Sequence, residues 1–255
     1  RRQGTELVHM NGVMQMKKKT IKKRILAGLL AFSLIVPANV AGAKTQTVLE
    51  TNVTEASEGC TLVGVYGSYF AQAKEALAKI NEIRKEACEA GNIRDPRNSG
   101  RYLQPSDYVP LKWSSDLEYI ARIRAAEAGI AFRFMDSGHD RLNEKGTFSI
   151  GSNGISSSSE DLAYYYIQDM IEGILLWYSE KQYWVKQDFS EETRHYTSMI
   201  NPKYTYVGFG GFYSEAAPYP ATMAGEFSTK SDLDETMMEA PEDVMQKIEV
   251  SNDYI

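Results

Sequence analysis

The stretch "RHYTSMINPKYTYVGFGGF", residues 194–212, decides how this chain is read. It begins as a short helical run carrying His195, breaks at Asn201-Pro202, and continues as an aromatic strand rich in glycine. "GFGG" is not a phosphate loop, because no P-loop lysine follows and no helix begins there. Its glycines instead suit close backbone packing or a bulge. A second strand is expected over residues 221–228. Upstream, helical periodicity marks residues 68–91, with Ala73, Leu77, Ile80, Arg84 and Cys88 on one stripe and Gly91 as its stop. A second helix follows "VPLKW", with Ser115 and Glu118 at capping-box spacing and Leu117, Ile120, Ala121 and Ala128 on its buried face. A third is expected over residues 160–185 and a short fourth over 191–199. Helices precede strands, which predicts an α+β layered domain.

The flanks differ from this core. "MKKKTIKKR" (16–24), the apolar "ILAGLLAFSLIV" (25–36) and "AGA" (41–43) follow the order of a secretory signal peptide cleaved after Ala43. Twelve apolar residues fall short of the roughly 20 that span a bilayer, so no membrane span is expected in the mature chain. Residues 44–66 read as a polar linker, 67–228 as the domain, and 229–255 as an acidic linker into a further C-terminal domain that would attach the protein to a cell surface. "QKIEVSNDYI" within that last segment has the composition of a strand. The chain has 28 Lys/Arg and 34 Asp/Glu; residues 1–43 hold eight of the former and only Glu6 of the latter, leaving a net charge of −13 on the remainder. Such a surface repels phosphate backbones, so nucleic acid is not an expected partner. Export permits a disulfide, but Cys60 and Cys88 are expected to remain unpaired, and Cys-rich metal motifs are absent.

Chemistry must come from few residues. His139 in "DSGHDR" and His195 are the only histidines after the leader. On the third helix Met170, Gly173, Ile174, Trp177 and Trp184 form an apolar stripe, and Glu180 falls on it. A carboxylate there needs a partner, and a histidine or a metal would be a specific one. The alternative is a stripe that ends at Trp177 and a solvated Glu180. Glu160, in "SSSSEDL", reads on its own as a helix N-terminal carboxylate beside a serine cap. The tyrosines Tyr164, Tyr165, Tyr166, Tyr178 and Tyr183 read as core and groove wall.

Six segments in order resemble the CAP superfamily, also called the SCP domain: cysteine-rich secretory proteins, antigen 5 and pathogenesis-related proteins. These are "INEIRKEACEAG", "PLKWSSDLEYIARIRAAE", "SGHDR", "SSEDLA", "LLWYSEKQYW" and the opening stretch. The resemblance implies a three-layer α–β–α sandwich with a central groove lined by His139, Glu160, Glu180 and His195. Glu160 enters that set through the resemblance alone. Ser159 and Asp161 stand where the family usually has Gly and Asn, Arg194 where it has Gly, and Ser198 where Gln is common. The family's disulfide cysteines are absent, as in many bacterial members.

Two imidazoles and two carboxylates suit Zn²⁺ or another divalent cation, and the same set can form a metal-free hydrogen-bonded cluster. Three readings compete. The favoured one is a secreted, extracellular binding module taking a lipid, sterol, peptide or cell-surface partner. The second is a metal-dependent hydrolase with Glu160 or Glu180 as general base. The third is a structural or adhesive module of a larger surface protein.

Overall fold

The computed structural model describes residues 47–49, 55–136, 138–241 and 243–255. The expected leader and its cleavage site lie outside them, and no described helix is long and apolar enough to cross a membrane. In chain order the elements are β1 (Thr47–Leu49), β2 (Cys60–Tyr69), α1 (Ala73–Glu89), β3 (Arg94–Asp95), β4 (Asn98–Tyr102), β5 (Lys112–Trp113), α2 (Ser115–Ala131) and β6 (Ser159–Tyr165). Then follow α3 (Met170–Ser179), α4 (Lys181–Lys186), α5 (Arg194–Ile200), β7 (Tyr206–Tyr213), β8 (Ala221–Ser228) and β9 (Val244–Ser251). The main sheet has the order β1-β9-β2-β7-β8-β6, with β5 pairing in parallel with the start of β7. β8 runs antiparallel to both β6 and β7, and β7 antiparallel to β2.

Alternation along β7 and β8 builds the three layers. Val207, Phe209, Met223 and Phe227 face α1, α3 and α5 in one apolar cluster. Phe212 and Ala224 face α2 in a second. The expected α–β–α sandwich is therefore present.

Glycines in β7 set the distance between two layers. A Cβ on Gly208 would lie 2.1 Å from the Glu118 nitrogen, and one on Gly210 would lie 2.4 Å from the Ala121 carbonyl carbon. Both obstacles are helix backbone, so α2 lies directly on the bare strand. The helix is buried on nearly every side, which its four expected buried residues do not convey. Its charges are paired instead. Glu118 accepts from Arg122 Nη2 at 2.7 Å and from Trp113 Nε1 at 2.7 Å. Arg122 also donates to the Glu239 and Met238 carbonyls, and the Met238 N–H donates to Glu118, so residues 238–239 strap across the helix. The N-cap is Ser114, whose hydroxyl accepts from the Leu117 N–H, rather than the expected Ser115.

The helix–break–strand join of the opening stretch is held by a buried cation without a carboxylate partner. Arg84, 2% exposed on α1, donates to the carbonyls of Val109, Met199, Asn201 and Tyr204. Burial lowers its pKa to about 10, so it remains charged at neutral pH.

Three expectations are corrected. Residues 160–185 are not one helix. Residues 159–165 form edge strand β6, and helix begins only at Met170, where the Asp169 carboxylate caps the Ile171 N–H. Residues 44–66 are not linker throughout, because β2 starts at Cys60. Residues 229–255 are not simply an acidic linker, because β9 pairs with β2 from Cys60↔Ser251 to Gly67↔Val244. The ordered domain thus extends beyond 67–228. Most of β2 is half-buried or exposed, with Val65 and Tyr69 alone fully buried, which weakens the alternation that marks a strand. Cys60 and Cys88 are both free thiols.

Glu249 on β9 ties the flanks together. Its carboxylate accepts from the Ser57 N–H at 2.6 Å, Asn143 Nδ2 at 2.6 Å and Lys145 Nζ at 3.0 Å. Burial alone would raise its pKa, but these donors outweigh burial and hold it at about 2.

Two outcomes are expected. Gly208→Ala and Gly210→Ala should each cost about 3 kcal/mol in denaturant unfolding, whereas Gly146→Ala, which meets nothing within 4 Å, should be neutral; equal effects would refute the close approach. Because the Glu249 pKa is depressed, its contribution is present above its ordinary value of 4.5 and is lost as pH falls towards 2. Thermal melts across that window should therefore show a decline that Glu249→Gln flattens.

Candidate functional site

Two histidine–carboxylate pairs meet at edge strand β6, one from each face of the sheet. The first pair is His139 and Glu160. His139 Nδ1 lies 2.8 Å from Glu160 Oε1. Behind Glu160 stands Arg124 of α2, fully buried, which donates to Glu160 through Nε at 2.5 Å and Nη2 at 3.0 Å. The same guanidinium reaches Glu127 and the carbonyls of Gly138 and His139. Arg141 also donates to Glu127. Burial works to raise the Glu160 pKa, but Arg124 and His139 outweigh it and keep the carboxylate ionised.

The second pair is Glu180 and His195. Glu180 sits at the junction of α3 and α4 between buried Trp177 and Trp184. Its Oε1 is 2.5 Å from His195 Nδ1, and its Oε2 accepts from the Tyr196 N–H at 3.0 Å. The carboxylate on the apolar stripe is thus paired with the histidine of the opening stretch and with the first turn of α5. Burial lowers the His195 pKa, but the Glu180 hydrogen bond and the charges of Asp161, Glu180 and Glu192 outweigh it, and the net direction is up. The two imidazoles are near-parallel, 6.5 Å apart between centroids, and Trp177 continues the stack 6.3 Å beyond His195.

His139, Glu160 and His195 line a groove of about 580 Å³ together with Thr147, Phe148, Arg194, Ser198 and Lys203. Glu180 stands behind His195 and is not part of the lining. The four expected residues therefore form two hydrogen-bonded pairs whose histidines share the groove. Among the described residues, the His, Cys, Asp and Glu side chains whose ligand atoms lie mutually within 4.8 Å are Glu180, Glu192 and His195. No serine or threonine hydroxyl of the described residues is hydrogen-bonded to either imidazole, so a Ser–His nucleophile is not assembled.

Two further acids belong to this neighbourhood and escaped the sequence reading. Asp161 follows Glu160 but points to the opposite face of β6, towards His195. It is 2% exposed, and its Oδ2 has no hydrogen-bond partner. Burial raises its pKa well above the ordinary value, against the pull of His195 and Ser198. Glu226 on β8 is directly opposite Glu160 and on the same face. Burial, then the Glu160 charge, push its pKa up as well. A 160–185 helix hides both relationships, since only a strand turns consecutive residues to opposite faces.

The His195 arrangement has a measurable consequence. Its raised pKa means that its contribution to stability is complete below the ordinary 6.5 and is lost as pH rises through the folded value. In an NMR titration Glu180→Gln should lower the His195 midpoint; an unmoved midpoint would show that the 2.5 Å contact does not govern it.

Comparison with known proteins follows the same lines. No curated protein sequence matches the chain. Among solved structures, venom allergen-like protein 4 of Schistosoma mansoni is similar at 16% identity, covering 65% of this chain and 95% of that one with a TM-score of 0.41. BmVAL-1 is similar at 16% identity, covering 66% and 82% with a TM-score of 0.38. Residues 77–223, more than half of the chain, match the Cysteine-rich secretory protein family. The chain belongs to that family, CAP.

Proposed function

We propose that this protein is an extracellular CAP-domain binding module whose groove takes a divalent cation, Zn²⁺ or a similar ion, together with a small lipid, sterol or peptide ligand. One observation carries the reading: each groove histidine gives its Nδ1 to a buried carboxylate. Metal-binding histidines are commonly oriented in this way, by a carboxylate that fixes the tautomer and raises the basicity of the other nitrogen. On this reading His139 and His195 are the ligands through Nε2, and Glu160 and Glu180 orient them from behind. That revises the expectation that all four residues ligate. The donor chemistry suits a borderline ion, and bound there it would act as a Lewis acid towards an oxygen or nitrogen of the ligand. The groove's polar walls and open top favour a ligand that lies along the surface over one that is engulfed. Export rests on the leader-like residues 16–43, and residues 229–243 have the acidic character of a surface module. The alternative, a metal-dependent hydrolase with Glu160 or Glu180 as general base, would draw on the same cation.

The test is calorimetric titration of Zn²⁺ into the wild type, His139→Ala and His195→Ala, with thermal melts as the folding control. One-to-one binding weakened about tenfold or more by each substitution is the expected result. A well-folded wild type that takes up no Zn²⁺, Mn²⁺ or Co²⁺ would remove the metal from the reading.

A further inference from the structure

Besides buried Asp161, the groove contains a carboxylate that neither histidine pair uses. Glu192 lines it just before α5, and one of its oxygens lies within 4.8 Å of a His195 ring nitrogen and of a Glu180 oxygen. In the absence of a metal this carboxylate already holds a cation. Arg194 donates to it through Nε at 3.1 Å and Nη2 at 3.2 Å, while the Thr193 and Arg194 N–H groups donate to Oε1. The Arg194 side chain is 87% exposed, so little beyond this one pair holds the guanidinium. Its charge also feels Glu180. A second observation points to the same place. On the groove floor beside His195, buried Asp161 leaves Oδ2 without a partner, which is costly for a polar atom and is relieved by a cation or its bound water.

We propose that Glu192 is a further protein ligand of the groove cation, beside His195, and that Arg194 is a tethered competitor which must release Glu192 before the ion is fully bound. The inference rests on the proposed metal reading and adds to it. Two imidazoles alone make a weak site, and a carboxylate supplies charge. Arg194 makes occupancy conditional. An exposed guanidinium–carboxylate pair is held only weakly, so it gives way to a divalent ion but not to a monovalent one. The chain therefore stays unloaded where divalent ions are scarce and loads as their concentration rises. Arg194 stands where the resemblance places glycine, so this competition comes from this chain's own residue.

The experiment is Zn²⁺ titration by calorimetry into the full chain carrying Glu192→Gln, Glu192→Asp or Arg194→Gln, beside the wild type and His195→Ala, with Co²⁺ absorption as a report on coordination. Glu192→Gln should weaken Zn²⁺ binding about tenfold and change the Co²⁺ spectrum, Glu192→Asp should keep part of the affinity, and Arg194→Gln should tighten binding about threefold. Thermal melts exclude unfolding as the cause, and the gain expected for Arg194→Gln cannot come from a damaged fold. If His195→Ala abolishes binding while Glu192→Gln and Arg194→Gln both match the wild type, the Glu192 ligand and its competitor are refuted and the two-histidine reading stands. Tighter binding in Arg194→Gln with no loss in Glu192→Gln would refute the ligand role, leaving Arg194 as a repelling charge only. A wild type that binds neither ion overturns both readings.

Discussion

The Arg124 guanidinium is the contact on which the site most depends. It is buried under α2 and divides its donors among Glu160, Glu127 and the carbonyls of Gly138 and His139. One side chain thereby fixes three pieces of chain: the helix that carries it, the edge strand that carries Glu160, and the loop that carries His139. Within the cluster the charges of Arg124 and Arg141 balance those of Glu127 and Glu160, and burial pushes the Glu226 pKa up. Removing one member of such a set leaves an unpaired charge inside the protein, typically a loss of about 3–5 kcal/mol. The orientation of His139 is thus set from the core rather than from the groove.

The second half of the site is built differently. Glu180 and His195 both belong to the helical layer, and Arg84 fixes that layer to the sheet by donating to the Val109 carbonyl and to three carbonyls between the end of α5 and the start of β7. The two histidines approach each other around the edge of the sheet, one supported from each face. Edge strand β6 makes this possible, because Glu160 and Asp161 are neighbours in sequence that serve opposite sides of one strand.

Much of this was legible in the chain. The apolar periodicity of residues 73–89 and 115–131 predicts α1 and α2, and the alternation and glycines of 204–228 predict β7 and β8 with a bare surface for backbone. Glu180 on a tryptophan stripe signals a buried partner, and that partner is His195. What was hidden has physical causes. "SEDLAYY" reads as the start of a helix because an acidic pair after serines resembles a cap; only pairing with β8 makes it a strand. Arg124 looks like an ordinary surface residue because its partners, Glu127 apart, come from distant segments. Lone Glu226 in the apolar "ATMAGEFS" was the one visible sign of a buried acid. β2 was hidden by the polar, Thr-rich run of residues 44–59 that leads into it, and Glu192 by its proximity to Arg194, which makes it look like a routine surface ion pair.

The pairing of β2 with β9 joins segments about as far apart in the chain as the domain allows: the Thr61 hydroxyl bonds Asn252 across 191 residues. Contacts of that separation must overcome the entropy of closing a very long loop, and they slow folding. During synthesis β2 emerges early and has no β9 to pair with until nearly the whole domain has been made. Until then it is an exposed strand edge, with only Ser68 and Tyr69 able to join β7, and such an edge invites association with other chains. A chain held extended until residue 251 is available would close the sheet in one step, so the topology favours folding after synthesis over folding during it.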